Sequence, residues 1–451
     1  MVKQVLILLH TSRPASWGTP KAIIRAACCA ALSRLKRRAL PRIKPIGFVL
    51  LSTVLTAACG ESEHSQQGRS EADDLAHNLR IIDTHIDVPY RLEKHPEDVS
   101  VATKSGDFDY PRARQGGLNV AFMSIYIPAA VDRDGKGTAL AERLIDGVRS
   151  LAFRAPDKFG LATCRADVVE NDALNRVSLA MGMENGGPLA SAADAPEHFY
   201  HRGIRYVTLA HSTWNALSDS SYDPDEHWQG LSPTGKEMVA RLNRLGVMVD
   251  VSHISDKAFW QVLALTQVPV IASHSSARHF TPGFQRNLAD DMIRALGANG
   301  GVVQINVGSG FLTRQARDYS DAMKQARESY LAERSLDPGS PEAADFNQRY
   351  RETHPYPYAS IADVVDHIDH VVALAGIEHV GIGTDFDGVG DTLPVGLKSV
   401  ADYPNLIQGL LGRGYDAKAI EAILGGNLMR VWAANEAFAT ESGQRPECAS
   451  S

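Results

Sequence analysis

Eight short apolar runs, continuous rather than alternating, recur along this chain with longer stretches between them. They cover Ile81–Ile86, Leu118–Tyr126, 177–183, 204–210, 247–252, 268–273, 301–306 and 379–384. Strands read this way when both faces are buried, as in a parallel sheet covered by helices. Helical patterning fills most gaps, at 138–153, Pro233–Leu245, 256–266, Asp290–Ala298 and Ile361–Ala375. A strand–helix unit repeated eight times predicts an α/β fold, a (β/α)8 barrel. Residues 311–359 break the rhythm between the seventh and eighth strands. Their middle is charged and helix-prone, which predicts a helical insertion on the barrel rim.

The ends of the runs carry the chemistry. His85 and Asp87 stand two residues apart, so in a strand they share a face. Glu184, His211, His253, His274 and Asp385 each follow an apolar run directly. In a barrel such positions converge on the carboxyl-terminal mouth, where barrel active sites lie. So many ionisable groups near one axis are costly to bury unless a cation compensates them. His85, Asp87, Glu184, His253 and His274 exceed the three protein ligands of one catalytic zinc. They suit two metals sharing a carboxylate, with Glu184 the natural bridge. Histidine and carboxylate donors without cysteine favour zinc, with manganese or cobalt as alternatives. This predicts a metal-dependent hydrolase.

Seven motifs in order resemble the renal (membrane) dipeptidase family. They are Asp83-Thr84-His85-Ile86-Asp87, Gly182-Met183-Glu184-Asn185-Gly186-Gly187, Arg205-Tyr206-Val207-Thr208-Leu209-Ala210-His211, Asp250-Val251-Ser252-His253, Ser273-His274-Ser275-Ser276-Ala277, Arg286-Asn287 and Gly381-Ile382-Gly383-Thr384-Asp385-Phe386-Asp387-Gly388-Val389. The resemblance runs from about Ile81 to Trp432 and implies a binuclear zinc barrel that hydrolyses dipeptides with a metal-activated bridging hydroxide. By this resemblance His85 and Asp87 would bind one zinc, His253 and His274 the other, and Glu184 both. His211 would bind the substrate carbonyl oxygen and its developing oxyanion. Arg286 would hold the substrate carboxylate, and Asp385 would handle protons at the substrate amine. The spacing from His274 to Arg286 is one residue longer than expected for the mammalian members, which leaves Arg278 as a second candidate anchor. Dipeptides with a D-residue at the C-terminal position are candidate substrates, and a homodimer is a candidate assembly. The alternative on the same metal platform is a deacylase of N-acyl amino acids. A non-catalytic metal- or peptide-binding protein is disfavoured, because it has no need of His211 and Asp385 beside the metal ligands.

The first 58 residues read as an export segment. They hold ten Lys or Arg and no Asp or Glu, with the cluster Arg34-Leu35-Lys36-Arg37-Arg38 before the apolar run 46–58. That run is shorter than the roughly 20 residues a membrane-spanning helix needs. A basic region, a short apolar region and small residues describe a signal peptide. Leu55-Thr56-Ala57-Ala58-Cys59 resembles a bacterial lipobox, by which Cys59 would become a lipidated first residue on the periplasmic or outer-membrane side. The expected organisation is a signal peptide (1–58), a tether (59–78), the barrel (79–436) and a polar tail (437–451). Removing residues 1–58 takes the formal net charge from −7 to −17. A body that acidic has no electrostatic footprint for nucleic acid. With Cys59 lipidated, only Cys164 and Cys448 remain to pair, and the sequence does not decide whether they do.

Overall fold

The computed structural model describes residues 71–449. The expected signal peptide and Cys59 lie outside the described residues. The expected tether is described from residue 71, and there it is helical rather than loose. Residues 71–78 form a helix that buries Ala72 and Ala76. The carbonyl of Ala76 sits where a Cβ on Gly117 would be, 2.0 Å away, and Gly117 has φ 79°. Only glycine accepts both conditions, so the compact body begins before residue 79.

The strands are β1 (Ile81–Ile86), β2 (Leu118–Tyr126), β3 (Phe159–Leu161), β4 (Val177–Glu184), β5 (Ile204–Thr208), β6 (Met248–Asp250), β7 (Ile271–Ala272), β8 (Val302–Ile305) and β9 (Val380–Ile382). Eight run parallel in the order β1-β2-β4-β5-β6-β7-β8-β9. Asp385 N–H donates to His85 O at 3.0 Å and Asp87 N–H to Phe386 O at 2.9 Å, joining the last strand end to the first. This is the (β/α)8 barrel that the apolar runs predict. The ninth strand, β3, has no counterpart in the sequence reading. It pairs with Val177–Leu179, below the point where β5 joins β4, and three residues carry no readable period.

Strands β5 to β9 are each shorter than their apolar runs. Between β6 and β7, Asp250 Oδ1 accepts from the backbone N–H of Ser252 (3.0 Å) and Ser273 (2.7 Å), replacing ladder bonds. Helices Gly137–Arg154, Pro233–Leu245, Asp256–Leu265, Asp290–Ala298 and Ile361–Ala375 wrap the sheet. Ser232 and Ser255 cap the second and third, accepting from Gly235 N–H and Ala258 N–H. Ser360 and Asp363 form a capping box on the fifth. Each cap satisfies an orphan amide and sets where the helix starts.

Inside the barrel an aromatic column rises toward the mouth. Trp432 lies 5.5 Å from Phe122 and Phe122 lies 5.6 Å from Tyr206, centroid to centroid. Trp432 comes from helix Asn427–Glu441, which carries past the expected boundary at 436. Beyond it Cys448 is disulfide-bonded to Cys164. The carbonyl of Glu447 accepts from buried Arg205 and from Thr163. The expected tail is thus pinned to the barrel as far as it is described. Between β8 and β9 the chain forms Ser309–Leu312, Arg314–Arg334 and Pro341–Thr353, a helical insertion where one is expected.

Candidate active site

His85 is the next-to-last residue of β1 and Glu184 the last of β4. Asp87, His211, His253, His274 and Asp385 lie one to three residues beyond their strands. The structure brings all seven together at the carboxyl-terminal mouth. Glu184 is the hub: its Oε1 lies 3.1 Å from His253 Nε2, 3.3 Å from His274 Nε2 and 3.5 Å from His211 Nε2. Its Oε2 lies 3.4 Å from His85 Nε2, which is itself 3.4 Å from Asp87 Oδ2. Asp87 and Asp385 complete a third group with His85, every donor atom within 4.8 Å of the others.

The electrostatics follow from burial and proximity. Burial, then the Arg286 charge, hold His253 well below the ordinary histidine range. Burial and neighbouring His85 do the same for His274. Both are therefore neutral, and their Nε2 atoms approach to 2.8 Å. Burial alone would raise Glu184, but the proximity of His85 and His211 holds it well below its usual value. Asp385 is pushed well up by burial and by the Asp87 carboxylate.

A metal ion fits this donor set. His85 Nε2 and Asp87 Oδ1 are buried without a hydrogen-bond partner, which is rare for polar atoms unless an ion or water satisfies them. Nitrogen and carboxylate oxygen donors converge with no thiol among them, as zinc-type ions prefer.

The candidate ligand rings are oriented from behind. Ser273 Oγ donates to Asp250 Oδ2 at 2.6 Å and lies 2.7 Å from His274 Nδ1. The Ser273 hydroxyl proton is engaged, so His274 donates from Nδ1 and keeps its Nε2 lone pair. His85 Nδ1 lies 2.7 Å from the hydroxyl of Tyr206, the top of the aromatic column. A Cβ on Gly182 would lie 1.9 Å from the Tyr206 ring, so glycine there makes room for the tyrosine. Such partners are typically worth about tenfold or more in metal affinity. Tyr206→Phe is expected to weaken metal retention by about tenfold, read by competition with a chelator. Unchanged retention would mean that the ring packing alone orients His85.

Backbone strain marks the same site. Asn185, His253, Asp385 and Asp387 have φ of 81°, 69°, 65° and 65°. Non-glycine residues there cost about 1–3 kcal/mol each and cluster at functional sites. Gly388 lies against the carboxylates: a Cβ on it would fall 2.2 Å from Asp385 Oδ1 and 2.3 Å from Asp87 Oδ2.

The mouth opens into a pocket of about 830 Å³. Tyr90, Tyr126, Tyr222, Phe311, Arg317 and Tyr356 are among its walls. Arg317, Ser320 and Lys324 come from helix Arg314–Arg334, so the insertion closes one side. Tyr222 is one of three aromatics after His211 that could line a pocket. The other two do not reach this one: Trp228 Nε1 donates to Asn215 O, and Trp214 stacks on His227. Tyr356, in a loop whose sequence reads as merely rigid, also reaches the pocket. The insertion's charge pattern reveals helices but not which face they offer.

The two candidate anchors separate clearly. Arg278 forks onto Asp256 at 2.8 and 2.6 Å, a structural pair. Arg286 is almost fully buried, donating to Ser275 Oγ at 2.7 Å and His274 O at 2.8 Å. Its Nε has no partner, and no carboxylate among the described residues lies within 4 Å of its guanidinium. Arg286 does not itself line the pocket; its guanidinium lies 5.5 Å from the ring centroid of Phe311, which does.

His367 ties the Arg286 segment to the insertion. Its Nδ1 accepts from Ala277 N–H at 3.0 Å and its Nε2 donates to Leu312 O at 2.9 Å. Accepting from Ala277 needs the neutral ring, and burial lowers its pKa to about 4. The unfolded chain therefore binds the extra proton between pH 6.5 and about 4. His367 contributes stability fully above that window and loses it as pH falls through it, about 3 kcal/mol in all. The stability gap between wild type and His367→Gln, from denaturant melts, should accordingly narrow on acidification.

Comparison with known proteins decides the family. The model for "Membrane dipeptidase (Peptidase family M19)" matches residues 69–445. The chain belongs to the membrane dipeptidase family. It is 31% identical over 405 residues to an uncharacterized dipeptidase of Schizosaccharomyces pombe, covering 85% of this chain and 87% of that one. Mouse dipeptidase 3 is 31% identical over 389 residues, covering 84% and 69%. Among solved structures, the probable dipeptidase PvdM from Pseudomonas aeruginosa aligns with a TM-score of 0.71 at 27% identity, over 83% of this chain and all of that one. A metallopeptidase from Rhodobacter sphaeroides, solved with a phosphinate mimic of L-Ala-D-Ala, shares the fold at 24% identity and a TM-score of 0.65, over 79% and 99%. This member of the membrane dipeptidase family is a metallo-dipeptidase, a hydrolase.

Proposed function

We propose that the enzyme holds two zinc ions and cleaves dipeptides that carry a free C-terminal carboxylate. The observation that carries this reading is the buried, unpaired guanidinium of Arg286 beside a convergent imidazole–carboxylate cluster. A buried cation without an anion is costly, and the carboxylate of a bound substrate removes that cost. His85 and Asp87 would hold one ion, His253 and His274 the other, and Glu184 both. Divalent cations held there supply Lewis acidity for a carbonyl and lower the pKa of water to near neutrality.

The protein's own groups complete the reaction. His211, close to Glu184 and kept low in pKa by burial, donates to the carbonyl oxygen as negative charge develops on it. Asp385 accepts from Asn306 Nδ2 at 2.8 Å, which fixes its carboxyl toward Asp87. So placed, it would take a proton from the nucleophile and return it to the departing amine. The Rhodobacter complex makes substrates with a C-terminal D-residue part of this proposal. Assaying zinc-loaded enzyme on L,L- and L,D-dipeptides and on N-acyl amino acids tests it. Preference for the N-acyl series would move the assignment to a deacylase.

We also propose export and lipid anchoring at Cys59. The disulfide between Cys164 and Cys448 supports export, since such bonds persist in oxidising compartments. Cys59→Ser should move the protein from the membrane fraction to the soluble fraction. A wild type that is already soluble and unlipidated would refute the anchor.

A further inference from the structure

Among the described residues, clusters of three His, Cys, Asp or Glu donors within 4.8 Å occur in few places. Three belong to the active site. A fourth, Cys164–Asp167–Cys448, has its sulfurs in the disulfide. The fifth lies elsewhere: His279, Asp290 and His370. We propose that these three side chains form an additional divalent-cation site, selective for zinc, nickel or cobalt, on the outer face of the barrel.

The donor set is two imidazole nitrogens and one carboxylate oxygen, which suits first-row transition ions with water completing the shell. The three residues come from three elements. His279 stands in the short turn Arg278–Phe280, Asp290 opens helix Asp290–Ala298, and His370 lies on helix Ile361–Ala375. His370 Nε2 is 2.8 Å from Asp290 Oδ1. The His279 ring stacks on His370 with centroids 4.5 Å apart and planes 25° from parallel. Phe280 packs edge-on against His370 at 5.5 Å, so that ring is held. His279 is exposed and is the arm that can tilt onto an ion. Other surface histidines differ: His198 and His201 each meet a single carboxylate, Glu142 and Glu447, with no second imidazole.

Placement gives the site a consequence. His279 and Asp290 bracket the segment that carries Arg286, and His370 sits on the helix against which both ends lie. An ion bound to all three clamps that segment to helix Ile361–Ala375. It stabilises the fold by an amount that grows with the logarithm of free ion concentration above its Kd, and does so away from the catalytic cluster.

The test is calorimetric titration of Zn2+ into holoenzyme whose catalytic ions are already loaded, with thermal melts alongside. Wild type should take up one further ion per chain, and its melting temperature should rise by a few degrees. His370→Ala and His279→Ala should lose that binding step and that rise. Asp290→Asn should weaken the step by at least about tenfold, since the carboxylate supplies the only protein anion. Uptake is read as wild type minus variant, so the result does not depend on how many ions the active site holds. No further ion in wild type, or equal uptake by His370→Ala, overturns the proposal.

Discussion

Glu184→Ala is expected to abolish turnover and to loosen every bound ion at once. The Glu184 carboxylate lies within 3.5 Å of four imidazoles. Breaking a buried charge cluster by removing one partner costs about 3–5 kcal/mol, which corresponds to roughly a thousandfold. The side chain is small and faces the mouth, with Ser124 Oγ donating to its Oε2 at 3.1 Å, so the barrel should survive the change. His253→Ala should instead remove mainly one ion and leave the His85–Asp87 side occupied. Elemental analysis of the two variants separates these outcomes, and chelation of wild type should reproduce the Glu184→Ala phenotype. A single tightly held metal in fully active wild type would show that the cluster is mononuclear.

Arg286→Ala should lower kcat/KM for dipeptides by about a hundredfold. Leaving a buried charge unpaired costs a few kcal/mol, and about 1.4 kcal/mol is tenfold. Wild type should therefore discriminate against a C-terminally amidated dipeptide by a similar factor, and the variant should lose that discrimination. Arg278→Ala offers the contrast. Its guanidinium is already paired with Asp256, so its loss should lower stability and leave the acid-to-amide ratio unchanged. Equal turnover of acid and amide by wild type would remove Arg286 from the substrate site.

The barrel was legible because its strands are apolar on both faces, which separates them from amphipathic elements without an alignment. The imidazole–carboxylate cluster was legible because it falls at the ends of those strands, where topology dictates convergence. The short strand Phe159–Leu161 was not legible, being three residues in a polar stretch. The expected tether and tail boundaries failed for a related reason. The small residues Ala72 and Ala76, and a cysteine 284 residues from its partner, bind those ends to the body through contacts that leave no local pattern.

The amino-acid sequence by itself determined the α/β barrel, the seven chemical residues at its mouth and the family resemblance, since each depends on local residue type and strand-end position. Only the tertiary structure distinguished the surroundings of Arg278 and Arg286, because both are arginines in one segment and the difference lies in Asp256, which pairs with Arg278 across 22 residues of chain. The supports behind the ligands were decided there too. Tyr206 and Ser273 read as interior strand residues until the barrel closes and brings their hydroxyls to His85 and His274. The outer His279–Asp290–His370 cluster has the same origin. Its members are up to 91 residues apart, and chain distance carries no information about which side chains share a point in space once three elements pack together.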